Sequence, residues 1–331
     1  MTGLSSYATR SVTCMLTAER TRPTVLTWQV VLALGSVYLI WGSTYLAIKF
    51  AVAPEHGSAI PPMLMAAMRF GVSGAVLLAW SVRRPAADGV PDPIRWPQLR
   101  ATLIVGLALL IGGNGMVVLA ESRGLDSGIT AVVVASVPLW VALIGAVRRD
   151  SRLPTGARFG LALGFGGVAA LFWPTKGAHI DTVAALIVVV GALSWASGSY
   201  YSKTAPLPRR PLVMTALEML WGSLFFVLIG VARGEAADFS PGAVSGSAWW
   251  ALVYLTVIGG MVGYTSYVWL LRNAPISLAT TYAYVNPVVA VLLGWLLAGE
   301  RLGLREILAT AVVVASVALI LSTHRGPADS A

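Results

Sequence analysis

The sequence predicts an all-α membrane protein of ten transmembrane helices, arranged as two inverted five-helix repeats. Three observations carry that prediction: a composition too apolar for water, ten apolar windows of spanning length, and a set of residues that recurs at a nearly constant offset. Of the 331 residues, 57% are hydrophobic and 11% are charged, and the mean hydropathy is +0.77. A soluble domain carries about 25% charged residues. This chain lacks the polar surface to cover a globule, and a bilayer is the solvent that suits it.

A spanning helix needs about 20 apolar residues. Windows of that kind fall at 28–50, 61–82, 100–121, 128–147, 156–174, 182–203, 211–232, 249–271, 277–298 and 304–322. The connections carry turn chemistry, as in Pro61-Pro62, Pro85, Pro91-Asp92-Pro93 and Pro241-Gly242. Residues 1–27 contain Arg10, Arg20 and Arg22 but no apolar core, so they read as a cytoplasmic tail and the first window as a retained helix. Met15 is an alternative start to Met1. Residues 323–331 form a second short tail.

The net charge of +9 does not point to nucleic acid, because the basic residues are scattered through short connections. In a membrane chain such an excess is an orientation signal. With the N-terminus inside, 16 basic residues fall on cytoplasmic segments and 5 on outer ones. The expected topology is N-in and C-in in the cytoplasmic (inner) membrane, least supported in the last third of the chain.

The repeat is visible residue by residue. Trp41 and Lys49 end the first window, and Trp195 and Lys203 end the sixth with the same spacing of eight. Pro62 and Pro211, Met65 and Met214, Arg123 and Arg272, Pro138 and Pro287, and Leu153 and Leu302 match at an offset of 149. Repeat one is assigned to 28–175 and repeat two to 182–322. Five helices is an odd number, so the second copy enters the membrane upside down. Inverted repeats of this kind accompany transport, with the substrate site near the midplane where the halves meet.

Several residues stand out against the apolar background. Arg69 lies about 12 Å into the second window, where a charge costs at least about 2.5–3.5 kcal/mol and needs a partner. It is either a clamp for a cargo carboxylate or phosphate, or a brace between helices. Glu218 is its counterpart at the offset of 149. The two are expected to approach across the pseudo-two-fold axis, with Glu218 either a proton-coupling carboxyl or half of a fixed pair. Trp41 and Trp195 are repeat-related and sit inside their helices, where they either stack on cargo or pack. Tyr282, Tyr284 and Asn286 alternate just before Pro287, which frees the Ala283 carbonyl. A kinked helix with polar groups nearby suits a cavity wall, and Pro138 marks the same place in the first repeat. Asn114, among Gly112, Gly113 and Gly115, is either interhelical glue or a ligand contact. Lys49 and Lys203 either draw anionic cargo or reach to headgroups. Glu121 is expected to be exposed at the outer end of the third helix.

The stretch Trp41-Gly42-Ser43-Thr44-Tyr45 with Lys49, then Met68-Arg69-Phe70 and Gly299-Glu300, resembles the EamA family of the drug/metabolite transporter superfamily. Gly113-Asn114-Gly115-Met116, Glu218-Met219-Leu220 and the run from Thr281 to Ala290 are similar to its YedA-like exporters. The resemblance covers about residues 28–322. It departs at Asp150-Ser151, where the first repeat carries no match to Gly299-Glu300. It implies ten helices around a central cavity, alternating access, and efflux of small metabolites or amino acids.

Two other function classes compete. A membrane-embedded enzyme needs a compact set of acid–base or metal-binding residues. The single cysteine, Cys14, and the three histidines, His56, His179 and His324, lie outside the apolar windows, so no metal or cofactor is expected. No GxxxxGK[ST] loop is present to hydrolyse ATP. A lipid scramblase would use a groove open to lipid in place of a closed cavity. The expected partners are a small-molecule substrate and membrane lipids, with the chain a monomer or homodimer.

Overall fold

A computed structural model describes residues 27–53, 59–83, 92–148, 154–171, 181–274, 276–279, 281–300 and 303–323. Both expected tails, Pro85 and Asp150-Ser151 lie outside the described residues, apart from Thr27 and Thr323. The described chain is helical throughout its main elements: α1 (Trp28–Val52), α2 (Pro62–Val82), α3 (Trp96–Ser122), α4 (Ser127–Val147), α5 (Thr155–Leu171), α6 (Thr182–Ser202), α7 (Pro211–Ala232), α8 (Gly246–Asn273), α9 (Tyr282–Ala298) and α10 (Leu304–Thr323). Seven of these, α1 to α4 and α6 to α8, are long and apolar enough to cross a membrane among the described residues. At 17 residues each, α5 and α9 are apolar but shorter, reaching about 25 Å against a hydrocarbon core of about 30 Å.

The ends follow from local chemistry. Pro62 and Pro211 occupy first helical positions, where a missing N–H costs nothing. The Thr27 hydroxyl accepts from Val30 N, the Asp181 carboxylate from Val183 N and Ala184 N, and the Ser245 hydroxyl from Ala248 N. Gly299, at φ 65°, ends α9 in the left-handed conformation that glycine tolerates.

Two helices are irregular at corresponding places. α3 is a π-helix over Leu107–Gly115 and α8 over Leu255–Gly263. Each accepts a serine hydroxyl from a neighbouring helix at its second residue: Ser194 of α6 donates to the Ala108 carbonyl and Ser73 of α2 to the Thr256 carbonyl, both at 2.9 Å. Widened turns leave backbone groups open to such partners. α4 breaks at Ala135-Ser136, just ahead of Pro138. Pro287 lies inside continuous α9, and the chain turns at Thr281, ahead of that helix.

Packing follows two patterns. α2 lies along α7, where Phe70 stacks on Phe226 and Ser223 Oγ donates to the Ala67 carbonyl at 2.8 Å. α5 lies along α10. Meanwhile α1 packs on α8 and α9, and α6 packs on α3 and α4. The side chains facing lipid positions stay apolar and exposed, among them Leu39, Val190, Leu228 and Trp295, as a bilayer-facing surface requires.

Candidate functional site

An aromatic cluster forms where α1, α8 and α9 meet. The Trp41 ring lies 5.3 Å from Tyr264, 5.1 Å from Tyr267 and 5.0 Å from Tyr282, and Tyr267 lies 5.6 Å from Tyr282. These tilted and edge-to-face contacts are the preferred geometry for aromatic pairs. Gly263, in the π segment of α8, admits the indole: a Cβ there would stand 2.7 Å from Trp41 Nε1. The Tyr38 hydroxyl meets the Thr281 hydroxyl and ties α1 to the start of α9. Asn286, one turn beyond Tyr282, is buried with Oδ1 lacking a hydrogen bond. Tyr284 does not join them. It packs with Leu139, Leu161 and Val317 in a separate apolar cluster. Residues two apart on a helix point about 200° apart, so Tyr282, Tyr284 and Asn286 cannot form one wall.

Three ionisable side chains are also buried with unused hydrogen-bonding atoms. Arg69 is 4% exposed, its guanidinium lies 4.7 Å from the Phe70 ring, and its Nε and Nη1 have no partner. Glu218 is 8% exposed with Oε1 unpartnered. Glu121 is 0% exposed and neither oxygen is hydrogen-bonded. This corrects two expectations. Glu121 is interior, because the end of α3 is covered by α1 and α6. Arg69 and Glu218 do not form an ion pair: Arg69 Nε and Nη1 and Glu218 Oε1 are all without a hydrogen-bond partner. Glu121, by contrast, lies in the field of Arg69.

Lys49 is the third correction. It reaches neither headgroup nor vestibule but is 4% exposed, with its Nζ 2.9 Å from Asp126 Oδ1 and 3.2 Å from Glu300 Oε1. Glu300, which the sequence showed only as part of the Gly299-Glu300 motif, is the partner that sequence reasoning did not assign. Its Oε1 also accepts from Ser127 N and Ser127 Oγ, each at 2.8 Å, and its Oε2 accepts from Gly128 N at 3.1 Å. It therefore caps α4 from outside that helix, and the positive end of α4 favours its charge. Gly294 makes room, since a Cβ there would stand 2.2 Å from Glu300 Oε2. The Gly299-Glu300 pair after an apolar helix was the available signal. Nearby, Asp181 pairs with Arg123 at 3.0 Å. The Ala184 N–H, then Arg123, hold its carboxyl below the usual range.

The remaining candidates lie on the opposite half. Trp195 packs over Gly113 of the α3 π segment, where a Cβ would stand 2.6 Å from the indole. This mirrors Trp41 on Gly263. Asn114 is the next residue and is half-buried. Lys203, the repeat partner of Lys49, is exposed and sits 5.2 Å from the Tyr200 ring. The two Trp sites thus share a scaffold, but Lys49 is buried in an ionic cluster while its repeat counterpart Lys203 is exposed. Among the described residues, no group of three or more His, Cys, Asp or Glu side chains is placed to hold a metal ion.

Comparison with known proteins gives a family and a fold. Residues 27–173 and 182–322 each match the EamA-like transporter family. The chain is 39% identical over 294 residues to the Escherichia coli K12 protein named uncharacterized inner membrane transporter YedA, covering 87% of this chain and 89% of that one. It is 24% identical to the Bacillus subtilis protein named uncharacterized transporter YoaV, covering 87% and 95%. A protein of known crystal structure shares the fold with a TM-score of 0.59 at 21% identity, over 89% of this chain and 98% of that one.

Proposed function

This chain belongs to the EamA-like transporter family, and from that premise we propose that it is a secondary active transporter of the inner membrane, exporting small metabolites or amino acids by alternating access. The observation that carries this reading is the set of buried ionisable side chains with unsatisfied atoms, Arg69, Glu121 and Glu218, together with the Trp41 aromatic cluster. A buried polar group without a hydrogen bond costs about 1–3 kcal/mol, and such groups persist where a ligand meets them. A cargo carboxylate on Arg69 would make charge-assisted, bidentate hydrogen bonds. A cargo ammonium would find Glu121, and an apolar or aromatic body would rest against Trp41, Tyr264 and Tyr282. Asn114, Trp195 and Asn286 line the remaining approach, and Glu218 is the candidate coupling carboxyl.

The ten-helix inverted repeat belongs to the same reading. Two tandem matches to one family support it. So do the pairings of α2 with α7 and α5 with α10, and the exchange in which α1 packs on α8 while α6 packs on α3. With tails at 1–27 and 323–331 on the cytoplasmic side, as the basic residues suggest, the Lys49 end of the bundle would face the periplasm. The chain acts as a monomer or homodimer, with the small-molecule substrate and lipids as its partners.

The test is uptake into proteoliposomes across a panel of amino acids and related metabolites, with and without a pH gradient. Saturable uptake of one class, lost in Arg69→Ala, is the expected result. A gradient requirement abolished by Glu218→Gln would establish coupling there. Lipid flipping without uptake of any solute would replace the carrier with a scramblase.

A further inference from the structure

The two ends of the bundle treat their cations differently. At the end that holds Lys49, basic side chains meet carboxylates: Lys49 meets Asp126 and Glu300, Arg123 meets Asp181, Arg233 meets Glu235 and Arg305 meets Glu306. At the opposite end, Arg148 caps α4 and Lys203 caps α6. Both side chains are exposed and both converge on one ring: the Arg148 guanidinium carbon lies 5.8 Å and Lys203 Nζ 5.2 Å from the centroid of half-buried Tyr200. Cation–π attraction at such distances holds two flexible side chains to one surface. Neither cation has a carboxylate partner among the described residues. The repeat accounts for part of the difference. Lys203 is the counterpart of Lys49, but the position matching Glu300 at the offset of 149 is Ser151. Two like charges held to one ring repel each other, and an anion that meets both removes the repulsion.

We propose that Arg148, Lys203 and Tyr200 form a headgroup site for one anionic phospholipid, whose acyl chains lie along α6. The place of the site favours a lipid over a soluble anion. Leu186, Val190, Leu193 and Tyr201 are exposed and fall within about 80° of one another around α6. They make an apolar strip along most of that helix, ending beside Lys203. Val147, next to Arg148, is exposed as well. Hydrocarbon covers such a surface in a bilayer, and an anion at its end is the phosphate of a lipid. The two cations suit that phosphate: a guanidinium offers paired N–H donors in a fixed fork, and an ammonium offers a compact charge. Basic pockets between membrane helices take anionic headgroups on this chemistry. α4 and α6 pack on each other, so a headgroup held by both bridges a helix of the first repeat to one of the second. The site is separate from Arg69 and the Trp41 cluster, and it does not rest on the transport reading.

The full chain, purified and delipidated in detergent, is titrated with dioleoylphosphatidylglycerol or dioleoylphosphatidylcholine, and bound lipid is counted by native mass spectrometry. The two lipids share acyl chains and differ in headgroup charge. The parent should hold one phosphatidylglycerol at least about tenfold more tightly than phosphatidylcholine. Arg148→Gln/Lys203→Gln should lose that preference. Arg123→Gln/Arg233→Gln, which removes the same net charge from paired residues at the other end, should keep it, as should the charge-conserving Lys203→Arg. A bound lipid stabilises the folded chain, so phosphatidylglycerol should also raise the melting temperature of the parent and leave that of Arg148→Gln/Lys203→Gln unchanged. Asp150→Asn, next in sequence to Ser151, should bind as the parent does. Four results overturn the proposal. A parent without preference has no such site. Equal loss in Arg123→Gln/Arg233→Gln marks an effect of net charge alone. Displacement of phosphatidylglycerol by glycerol 3-phosphate at equal concentration marks a site for a soluble anion. Tighter binding in Asp150→Asn shows that the protein's own carboxylate fills the place.

Discussion

Replacing Glu300 with alanine removes four contacts at once: Lys49 Nζ at 3.2 Å, Ser127 N and Ser127 Oγ at 2.8 Å, and Gly128 N at 3.1 Å. Breaking a buried ion pair from one side costs about 3–5 kcal/mol, and losing a helix N-cap costs about 1 kcal/mol more. Lys49 keeps Asp126, which offsets part of the loss. The expected net destabilisation is therefore about 3 kcal/mol, at the lower end of that range. Thermal unfolding in detergent, followed by tryptophan fluorescence, measures it. Glu306→Ala is the control: it removes the same charge a few residues away, where the pair with neighbouring Arg305 is partly exposed and worth about 0–1 kcal/mol. Glu300→Gln should fall between them, keeping an acceptor for Ser127 and losing the charge. If Glu300→Ala and Glu306→Ala unfold together, the interior cluster contributes nothing that a surface pair does not, and the reasoning fails.

Three further outcomes can be checked independently. Gly112→Ala puts a methyl 1.9 Å from Ser194 Oγ and 2.7 Å from its Cβ; it should destabilise by about 1–3 kcal/mol in the same melt, with recovery in Gly112→Ala/Ser194→Gly. Trp41→Ala removes three ring contacts worth about 0.5–1.5 kcal/mol each, so it should destabilise by about 1.5–4.5 kcal/mol in the same melt, whereas Trp41→Phe should cost far less. Asp181 titrates in the folded chain below its ordinary value, so its cap contributes stability above the unfolded pKa, near about 4, and loses it as pH falls through the lowered folded value. Hydrogen exchange at Val183 and Ala184 in Asp181→Asn should accordingly exceed the parent at pH 7 and converge with it at lower pH.

Part of the candidate site was legible in the sequence, and one part was legible but misread. A charge at the depth of Arg69 announces itself against an apolar run, as does Glu218, and both are interior. Trp41 and Tyr282 were recognisable as aromatics on repeat-marked helices, and the structure brings them together. Tyr284 was grouped with Tyr282 by alternation, which is the period of a strand; on a helix the same spacing sends the two rings to different clusters. Glu121, at a helix end beside basic Arg123, looks like a surface residue, and only the packing of α1 and α6 over it makes it interior.

What the sequence determined alone is the solvent, the apolar segments and their duplication. Those are local properties: mean hydropathy, charge spacing and a recurring residue pattern need no knowledge of which helix touches which. Tertiary structure decided the partners of the charges. Lys49 meets Glu300 across 251 residues of sequence and Asp126 across 77, while Arg69 and Glu218, matched by repeat arithmetic, form no ion pair. The reason is physical: a helix sequence specifies which face is apolar, but the register and closeness of packing between helices, set here by gaps such as Gly263 under Trp41 and Gly294 under Glu300, specify which polar atoms come within reach of one another.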